Sequence, residues 1–119
     1  MQDFKKLSIW RKAHELTLGI YSATKTFPEE ETYGLRNQMR RASSSIGINI
    51  AEGCGRSGQT EFRRYLRMSL GSASELEYEL LFAHDLKLLS EEEHRRLSGQ
   101  VVEIKKMTTA LIRKLKTEN

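Results

Sequence analysis

The chain has 119 residues, and its 20 lysine and arginine residues exceed its 16 aspartate and glutamate residues, which leaves a formal net charge of +4. This length suits one domain over residues 1–119 with a single buried core. One cysteine excludes an intrachain disulfide and a thiolate metal cluster, and no apolar run approaches the roughly 20 residues of a membrane span, so we expect a cytoplasmic protein.

Apolar residues recur at steps of three and four along four segments, which is the pattern of amphipathic helices. We place these helices near residues 8–26, 33–53, 60–88 and 91–117. Pro28 ends the first, because proline disfavours helix at the residue before it. Ser90 with Glu93 predicts a capping box at the start of the fourth. Short connections then predict an all-α, antiparallel up-down-up-down four-helix bundle, with Leu66, Leu76, Leu80 and Leu111 in its core.

Two segments of small residues lie in the second and third helices. Ile46, Ile48 and Ile50 alternate with Gly47 and Asn49, which is a strand pattern, but no other segment alternates to pair with it. We therefore predict helix here and expect Gly47 to let another helix come close. The serines and glycines of residues 43–47 and 69–74 predict close backbone approach between the second and third helices, or at a subunit interface.

The segment Gly53-Cys54-Gly55-Arg56-Ser57-Gly58 joins the second helix to the third. A glycine-rich segment before a helix can hold a phosphate, because free N–H groups and the helix dipole favour an anion. A P-loop, however, also needs a preceding strand and a lysine, and both are missing. We expect instead a helix end with Gly53 or Gly55 in left-handed geometry.

Residues that could carry catalysis or bind metal occur without partners in the sequence. Glu91 and His94 form one Glu-x-x-His pair, whereas a di-iron bundle needs two such pairs and two further glutamates. His14 and His84 have no ligand spacing, and Cys54 has no histidine near it. We expect no catalytic residue, no metal and no cofactor, and therefore no enzyme; a metal- or ligand-binding bundle enzyme is the least favoured alternative.

Charge alternates in blocks along the chain. Residues 34–74 carry seven arginines and two acids, residues 75–94 seven acids and one lysine, and residues 95–119 seven basic residues and two acids. The arginines are the candidate nucleic-acid-binding residues, because arginine favours bidentate contacts with phosphate: Arg36, Arg40, Arg41, Arg56, Arg63, Arg64 and Arg67. Pairing with Glu75, Glu77 or Glu79 of a neighbouring subunit is the alternative, and charge alone does not separate the two.

The runs WRKAHELTLGIY, FPEEETYGLRNQMRRASSSIGINIAEGCGR and EFRRYLRMSLGSASELEYEL make the chain resemble one family over about residues 4–115. This is the four-helix-bundle family first named for proteins encoded in intervening sequences of bacterial 23S rRNA genes. Its markers include Tyr33-Gly34-Leu35 and the signature positions Asn49, Glu52, Gly53, Gly55 and Glu61, for which we expect structural roles. For Asn49 and Glu52 the expected role is capping or pairing with an arginine at the helix break. Gly47 departs from the pattern, since relatives often carry proline there.

The resemblance implies a small bundle that assembles into a homo-oligomeric ring, often a pentamer. It also implies kinship with the accessory protein of diversity-generating retroelements, which is associated with reverse transcriptase and nucleic acid. We therefore expect a non-enzymatic binding or scaffold protein whose partners are further copies of itself and RNA, DNA or a reverse transcriptase-like protein, but no membrane. The alternative is a structural bundle whose charges serve only subunit contacts.

Overall fold

The computed structural model describes residues 2–31 and 34–116, so Tyr33 lies outside the described residues. Four α-helices account for most of them, and short 3-10 helices lie at Phe4–Lys6 and Glu29–Glu31. The α-helices are α1 (Ser8–Thr24), α2 (Leu35–Cys54), α3 (Gln59–Asp85) and α4 (Glu91–Lys116). The described residues contain no strand, so residues 46–50 are helical as predicted. The predicted all-α four-helix fold is confirmed.

The four helices form an elongated antiparallel bundle of 48 × 22 × 20 Å. Each helix packs against the next in the chain, and α4 returns to pack against α1. The α2–α3 contact is the most extensive, and small side chains face each other there. The Ser69 hydroxyl donates to the Ile46 carbonyl at 3.0 Å, and the hydroxyls of Ser45 and Ser72 lie 2.9 Å apart. The predicted close approach of these two helices is confirmed within one chain.

The core consists of the apolar stripes that the sequence pattern identified. Leu66, Leu76 and Leu80 are completely buried, together with aliphatic residues from all four helices. Leu111, which we predicted to be buried, is only partly so, because Ile112 and Leu115 supply the inward face of the last turns of α4. No helix in the described ranges carries an apolar stretch long enough to cross a membrane.

The turn between α3 and α4 begins three residues earlier than predicted. Lys87 adopts a left-handed conformation with φ 65°. The Leu88 N–H then reaches the Ala83 carbonyl at 2.9 Å and the Lys87 N–H reaches the His84 carbonyl at 2.9 Å, which is a Schellman motif. The Ser90 hydroxyl accepts the Glu93 backbone N–H at 3.1 Å, so the predicted N-cap of α4 is present.

Two glycines in α2 contact neighbouring helices to different degrees. A Cβ atom on Gly47 would lie 3.5 Å from the Trp10 ring, which is ordinary contact, so the α1–α2 approach does not require glycine there. A Cβ atom on Gly53 would lie 2.9 Å from the Phe62 ring and 2.9 Å from Tyr65 Cβ. Gly53 is therefore the residue that permits close packing of α2 on α3.

The expected left-handed cap at Gly53 or Gly55 is wrong. Gly53 lies inside α2, and Gly55 follows the helix in right-handed geometry with φ −84°. Its N–H continues the helical pattern by reaching the Ala51 carbonyl at 3.2 Å and the Glu52 carbonyl at 3.1 Å. The left-handed residue is Gly58, with φ 86°, immediately before α3.

Candidate nucleic-acid interface

Three of the seven candidate arginines bind the carboxyl ends of neighbouring helices. Arg36 Nε donates to the Thr24 carbonyl at 3.0 Å, and Arg36 Nη2 donates to the Phe27 carbonyl. Arg40 donates to the Thr24 hydroxyl at 2.9 Å and to the Tyr21 carbonyl at 3.1 Å, with its guanidinium 4.5 Å from the Tyr21 ring centre. Arg36 and Arg40 thus share a face of α2, and that face covers the end of α1.

Arg63 has the same role at the opposite end of the bundle. Its Nη1 atom donates to the Leu115 carbonyl at 2.8 Å, in the last turn of α4. The final carbonyls of a helix have no intrahelical donor and carry partial negative charge, so a guanidinium placed there stabilises the end. Arg36, Arg40 and Arg63 are accordingly engaged with the backbone and are not presented outward.

Arg56 and Arg64 lie on either side of the Tyr65 ring, with guanidinium carbons 5.2 and 4.7 Å from its centre. Each also pairs with an acid of the family signature. Arg56 bonds to Glu52 at 2.8 Å and to the Tyr65 hydroxyl at 2.9 Å, and Arg64 bonds to Glu61 at 3.2 Å. The Arg64 hydrogen bond lowers the pKa of Glu61 below its ordinary value. The predicted pairing of Glu52 with an arginine is therefore observed.

Asn49, the remaining polar signature residue, does not reach the helix end. Its Nδ2 atom donates to the Ser45 carbonyl at 2.9 Å and to the Ser45 hydroxyl at 3.1 Å, one turn back in α2. Ser45 in turn contacts Ser72, so Asn49 orders the polar part of the α2–α3 contact. These contacts lie at mid-helix and not at the helix break, where capping or pairing with an arginine was expected.

Arg41 and Arg67 are exposed and make no ion pair with any described acid. Of the three glutamates that we expected to pair with such arginines across an interface, only Glu75 is exposed and makes no ion pair with a described residue. Glu77 accepts a bond from Lys105 Nζ at 2.8 Å, and Glu79 is 5% exposed. The acidic block was visible in the sequence. The burial of Glu79 was not, because the only sign of it was that Glu79 precedes the core residue Leu80.

The antiparallel topology leaves the two ends of the bundle with opposite excesses of charge. One end, which we call the basic end, comprises residues 2–15, 45–72 and 102–116; the other, the acidic end, comprises residues 16–31, 34–44 and 73–101. The basic end contains the acids Asp3, Glu15, Glu52, Glu61 and Glu103, and many more basic residues: Lys5, Lys6, Arg11, Lys12, Arg56, Arg63, Arg64, Arg67, Lys105, Lys106, Arg113, Lys114 and Lys116. Acids predominate at the other end.

Basic side chains of α4 extend this surface. Lys105, Lys106 and Arg113 line a shallow cavity of about 370 Å³ together with Thr109 and Ala110. Lys106 and Arg113 have no acidic partner among the described residues. These residues lie outside the seven candidate arginines, and the basic block over residues 95–119 was the signal in the sequence for them.

A cavity of about 180 Å³ lies at the glycine-rich α2–α3 loop. Gly53, Cys54, Arg56, Gly58 and Gln59 are among its lining residues. Burial raises the pKa of the Cys54 thiol, and the nearby Asp3 carboxylate raises it further. A raised pKa leaves the thiol protonated, which is unsuitable for a nucleophile.

His84 has partners that its spacing did not suggest. Its Nε2 atom lies 2.7 Å from Glu91 Oε1, and its ring stacks on the His94 ring with centres 4.5 Å apart. The hydrogen bonds to Glu91 and Asp85 raise the pKa of His84, and the bond to His84 lowers the pKa of Glu91. No group of three or more histidine, cysteine, aspartate or glutamate residues in the described ranges could hold a metal ion.

Comparison with known proteins places the bundle in a family. The sequence model of the family described as 23S rRNA-intervening sequence protein matches residues 5–110. The chain belongs to this family. One similar solved structure is that of a protein with unknown function from the S23 ribosomal protein family of Bacteroides thetaiotaomicron. It shares 24% identity and a TM-score of 0.79, over 87% of this chain and 97% of that chain. At this identity it supports the fold alone. No curated protein matches the chain.

Proposed function

We propose that this family member is a non-enzymatic, homo-oligomeric protein that binds nucleic acid through its basic end. The observation that carries the proposal is the excess of basic over acidic residues that the antiparallel topology gathers at one end of a 48 Å bundle. A concentrated positive surface attracts a phosphate backbone and releases its counterions, and this supplies affinity without base recognition.

The residues that support binding most directly are those whose charge is not already neutralised. Arg67, Lys106 and Arg113 are exposed and lack acidic partners among the described residues. Arg67 lies one turn from Arg63, which contacts the last turn of α4, so Arg67 and Arg113 belong to one side of the basic end. We propose these three as the phosphate contacts, in place of the wider arginine set.

Tyr65 offers little stacking surface to a base. Arg56 and Arg64 lie against its ring, and both are held by acids, so an approaching base would have to displace them. Stacking on aromatic rings is the usual source of base affinity in single-strand binding. The proposed interaction is therefore electrostatic, with little sequence preference.

The test compares two double variants. The first, Arg67→Ala with Arg113→Ala, removes two proposed phosphate contacts. The control, Arg95→Ala with Arg96→Ala, removes the same charge at the acidic end. Binding to a fluorescent single-stranded RNA is measured by anisotropy over a salt series. The natural chain should lose affinity steeply with salt. The first variant should lose two contacts and flatten the slope by about 1.4, since each contact contributes about 0.7 on single strands. The control should bind as the natural chain does. Equal effects of both variants, or no binding, would refute the proposal.

Two exposed apolar surfaces support self-association as the second part of the proposal. Tyr78 and Leu81, 65% and 45% exposed, line a cavity between α3 and α4. Trp10 and Ile48, the latter 62% exposed, line another between α1 and α2. The helix order places these surfaces on opposite sides of the bundle. Different surfaces on opposite sides favour a head-to-tail contact, which gives a ring when the rotation closes.

Assembly is tested by light scattering at micromolar concentration. A pentamer, the number that the family resemblance implies, would have five times the 13.8 kDa mass of one chain. Ile48→Glu and Leu81→Glu should each dissociate the oligomer. Met68→Glu is the control, because Met68 is 45% exposed and lines neither surface. A monomeric natural chain would contradict self-association and leave the nucleic-acid measurement to stand by itself.

A further inference from the structure

Two histidines lie at the edge of one of the proposed subunit surfaces. His94 lines the cavity of about 440 Å³ between α3 and α4, together with Tyr78 and Leu81. Its ring stacks on the ring of His84, with ring centres 4.5 Å apart and ring planes inclined by 23°. We call these two residues the histidine pair. A neighbouring chain that covers Tyr78 and Leu81 therefore also covers His94.

The contacts of His84 are those of an imidazolium. Its Nε2 atom lies 2.7 Å from Glu91 Oε1, and its Nδ1 atom lies 3.3 Å from Asp85 Oδ1. An ionised carboxylate only accepts hydrogen bonds, whereas a neutral imidazole has one nitrogen that also only accepts. Both carboxylate contacts are therefore satisfied together only when both ring nitrogens carry protons. The same hydrogen bonds, first to Glu91 and then to Asp85, raise the pKa of His84 above its ordinary value.

The acids around the histidine pair are already paired. In the described ranges, the charged residues that contact the pair or line its cavity come from α3 and α4, and α1 and α2 supply none. Besides His84 these are three acids and two cations, each held in an ion pair: Asp85, Glu91, Glu77, Arg95 and Lys105. His94 forms no ion pair with a described residue. A proton on His94 would place a second positive charge against the His84 imidazolium, and like charges this close repel.

The surface expected to cover His94 offers no acid. The other apolar cavity, between α1 and α2, is lined by aromatic, aliphatic and small polar residues around Trp10 and Ile48, and the titratable side chain among them is His14. A neutral imidazole can be covered by such a surface at little cost. Covering an imidazolium, in contrast, removes a charge from water without supplying a partner, which is unfavourable. Contact between the two surfaces therefore excludes the proton on His94.

We propose that the histidine pair makes self-association dependent on pH: chains associate while His94 is neutral and separate once it takes a proton beside the His84 imidazolium. This rests on the proposed self-association through the two apolar surfaces. The first proton goes to His84, which two carboxylates hold, and the second goes to His94. A contact that excludes one proton loses about tenfold in association constant for each pH unit below the titration of that group.

Nitrogen-15 NMR of the histidine rings tests the pair without assembly, in the Ile48→Glu variant that changes only the opposite surface. At about pH 7 both ring nitrogens of His84 should carry protons. His94 should take its proton only at a lower pH than His84 does. Adding His84→Asn should move the His94 titration to higher pH, because the stacked cation is gone. A neutral His84 at about pH 7, or a His94 that takes its proton first, would overturn the proposal and leave self-association untouched.

Sedimentation velocity over a dilution series, at about pH 8 and about pH 5.5, tests the effect on assembly. The natural chain should associate about tenfold or more weakly at the lower pH, while circular dichroism shows the same helix content at both. His94→Phe keeps an aromatic ring that cannot take a proton, so its association should be equal at the two pH values.

His14→Phe removes the histidine of the opposite surface, and whatever its affinity, the loss at the lower pH should remain. Association of the natural chain that does not change with pH would overturn the proposal alone. So would a loss that survives in His94→Phe or disappears in His14→Phe. A chain that is monomeric at both pH values would overturn the proposed self-association as well.

Discussion

Glu79 should make the folded chain less stable as the pH rises. Its carboxyl has a pKa of about 7 in the folded chain and an ordinary value of 4.5 once unfolded and exposed. Between these values the folded chain holds a proton that the unfolded chain has released, so the free energy of unfolding falls with increasing pH. At 1.36 kcal/mol for each pH unit, the full loss is about 3 kcal/mol, complete above pH 7 and absent below pH 4.5.

Glu79→Gln isolates this effect, because glutamine keeps the shape and stays neutral. At pH 8 the variant should be more stable than the natural chain by about 3 kcal/mol, and near pH 4.5 the two should be nearly equal. Urea denaturation followed by circular dichroism at a fixed protein concentration measures the difference from pH 4.5 to 8. Taking the difference removes titrations common to both chains, including that of His84.

Glu92→Gln is the control, since Glu92 is an exposed acid in the first turn of α4. Its effect should be small and nearly independent of pH across the same range. A stability difference between Glu79→Gln and the natural chain that is flat from pH 4.5 to 8, or a variant that is less stable at pH 8, would refute the reasoning about burial.

Three further predictions concern stability, each measured by chemical denaturation. Leu80→Ala should lower the free energy of unfolding by about 2–5 kcal/mol, because it leaves a cavity in the core. Glu92→Lys should lower it far less. Equal effects would contradict the helix rotation described for α3 and α4. Gly53→Ala should destabilise the folded chain by about 1–3 kcal/mol through overpacking. Gly47→Ala should stabilise it by up to about 1 kcal/mol, because there is room for a methyl group at that site. A stabilising Gly53→Ala with a destabilising Gly47→Ala would contradict the close α2–α3 approach. Lys87→Gly should stabilise by about 1 kcal/mol by relieving the left-handed strain, and a loss of stability would count against the Schellman turn.

The sequence alone was sufficient for the number, type and approximate ends of the helices. Helical periodicity is a local property, so the spacing of Leu66, Leu76 and Leu80 marks a buried face whatever the partner helix is. The Ser90 cap was predictable for the same reason, since its hydrogen bond spans only three residues. The left-handed Lys87 was not predictable, because turn geometry usually selects glycine and the sequence offers lysine there.

Only the tertiary structure decided what the charged residues do. Arg36 and Arg63 have the same local pattern as Arg67, yet the first two reach carbonyls of other helices while Arg67 faces outward. Spacing along one helix cannot show where a neighbouring helix ends. An arginine side chain turns toward such an end because the last carbonyls there accept its hydrogen bonds. Likewise, the burial of Glu79 and the separation of basic and acidic ends depend on contacts between segments far apart in the chain. These are properties of packing, and a local pattern does not contain them.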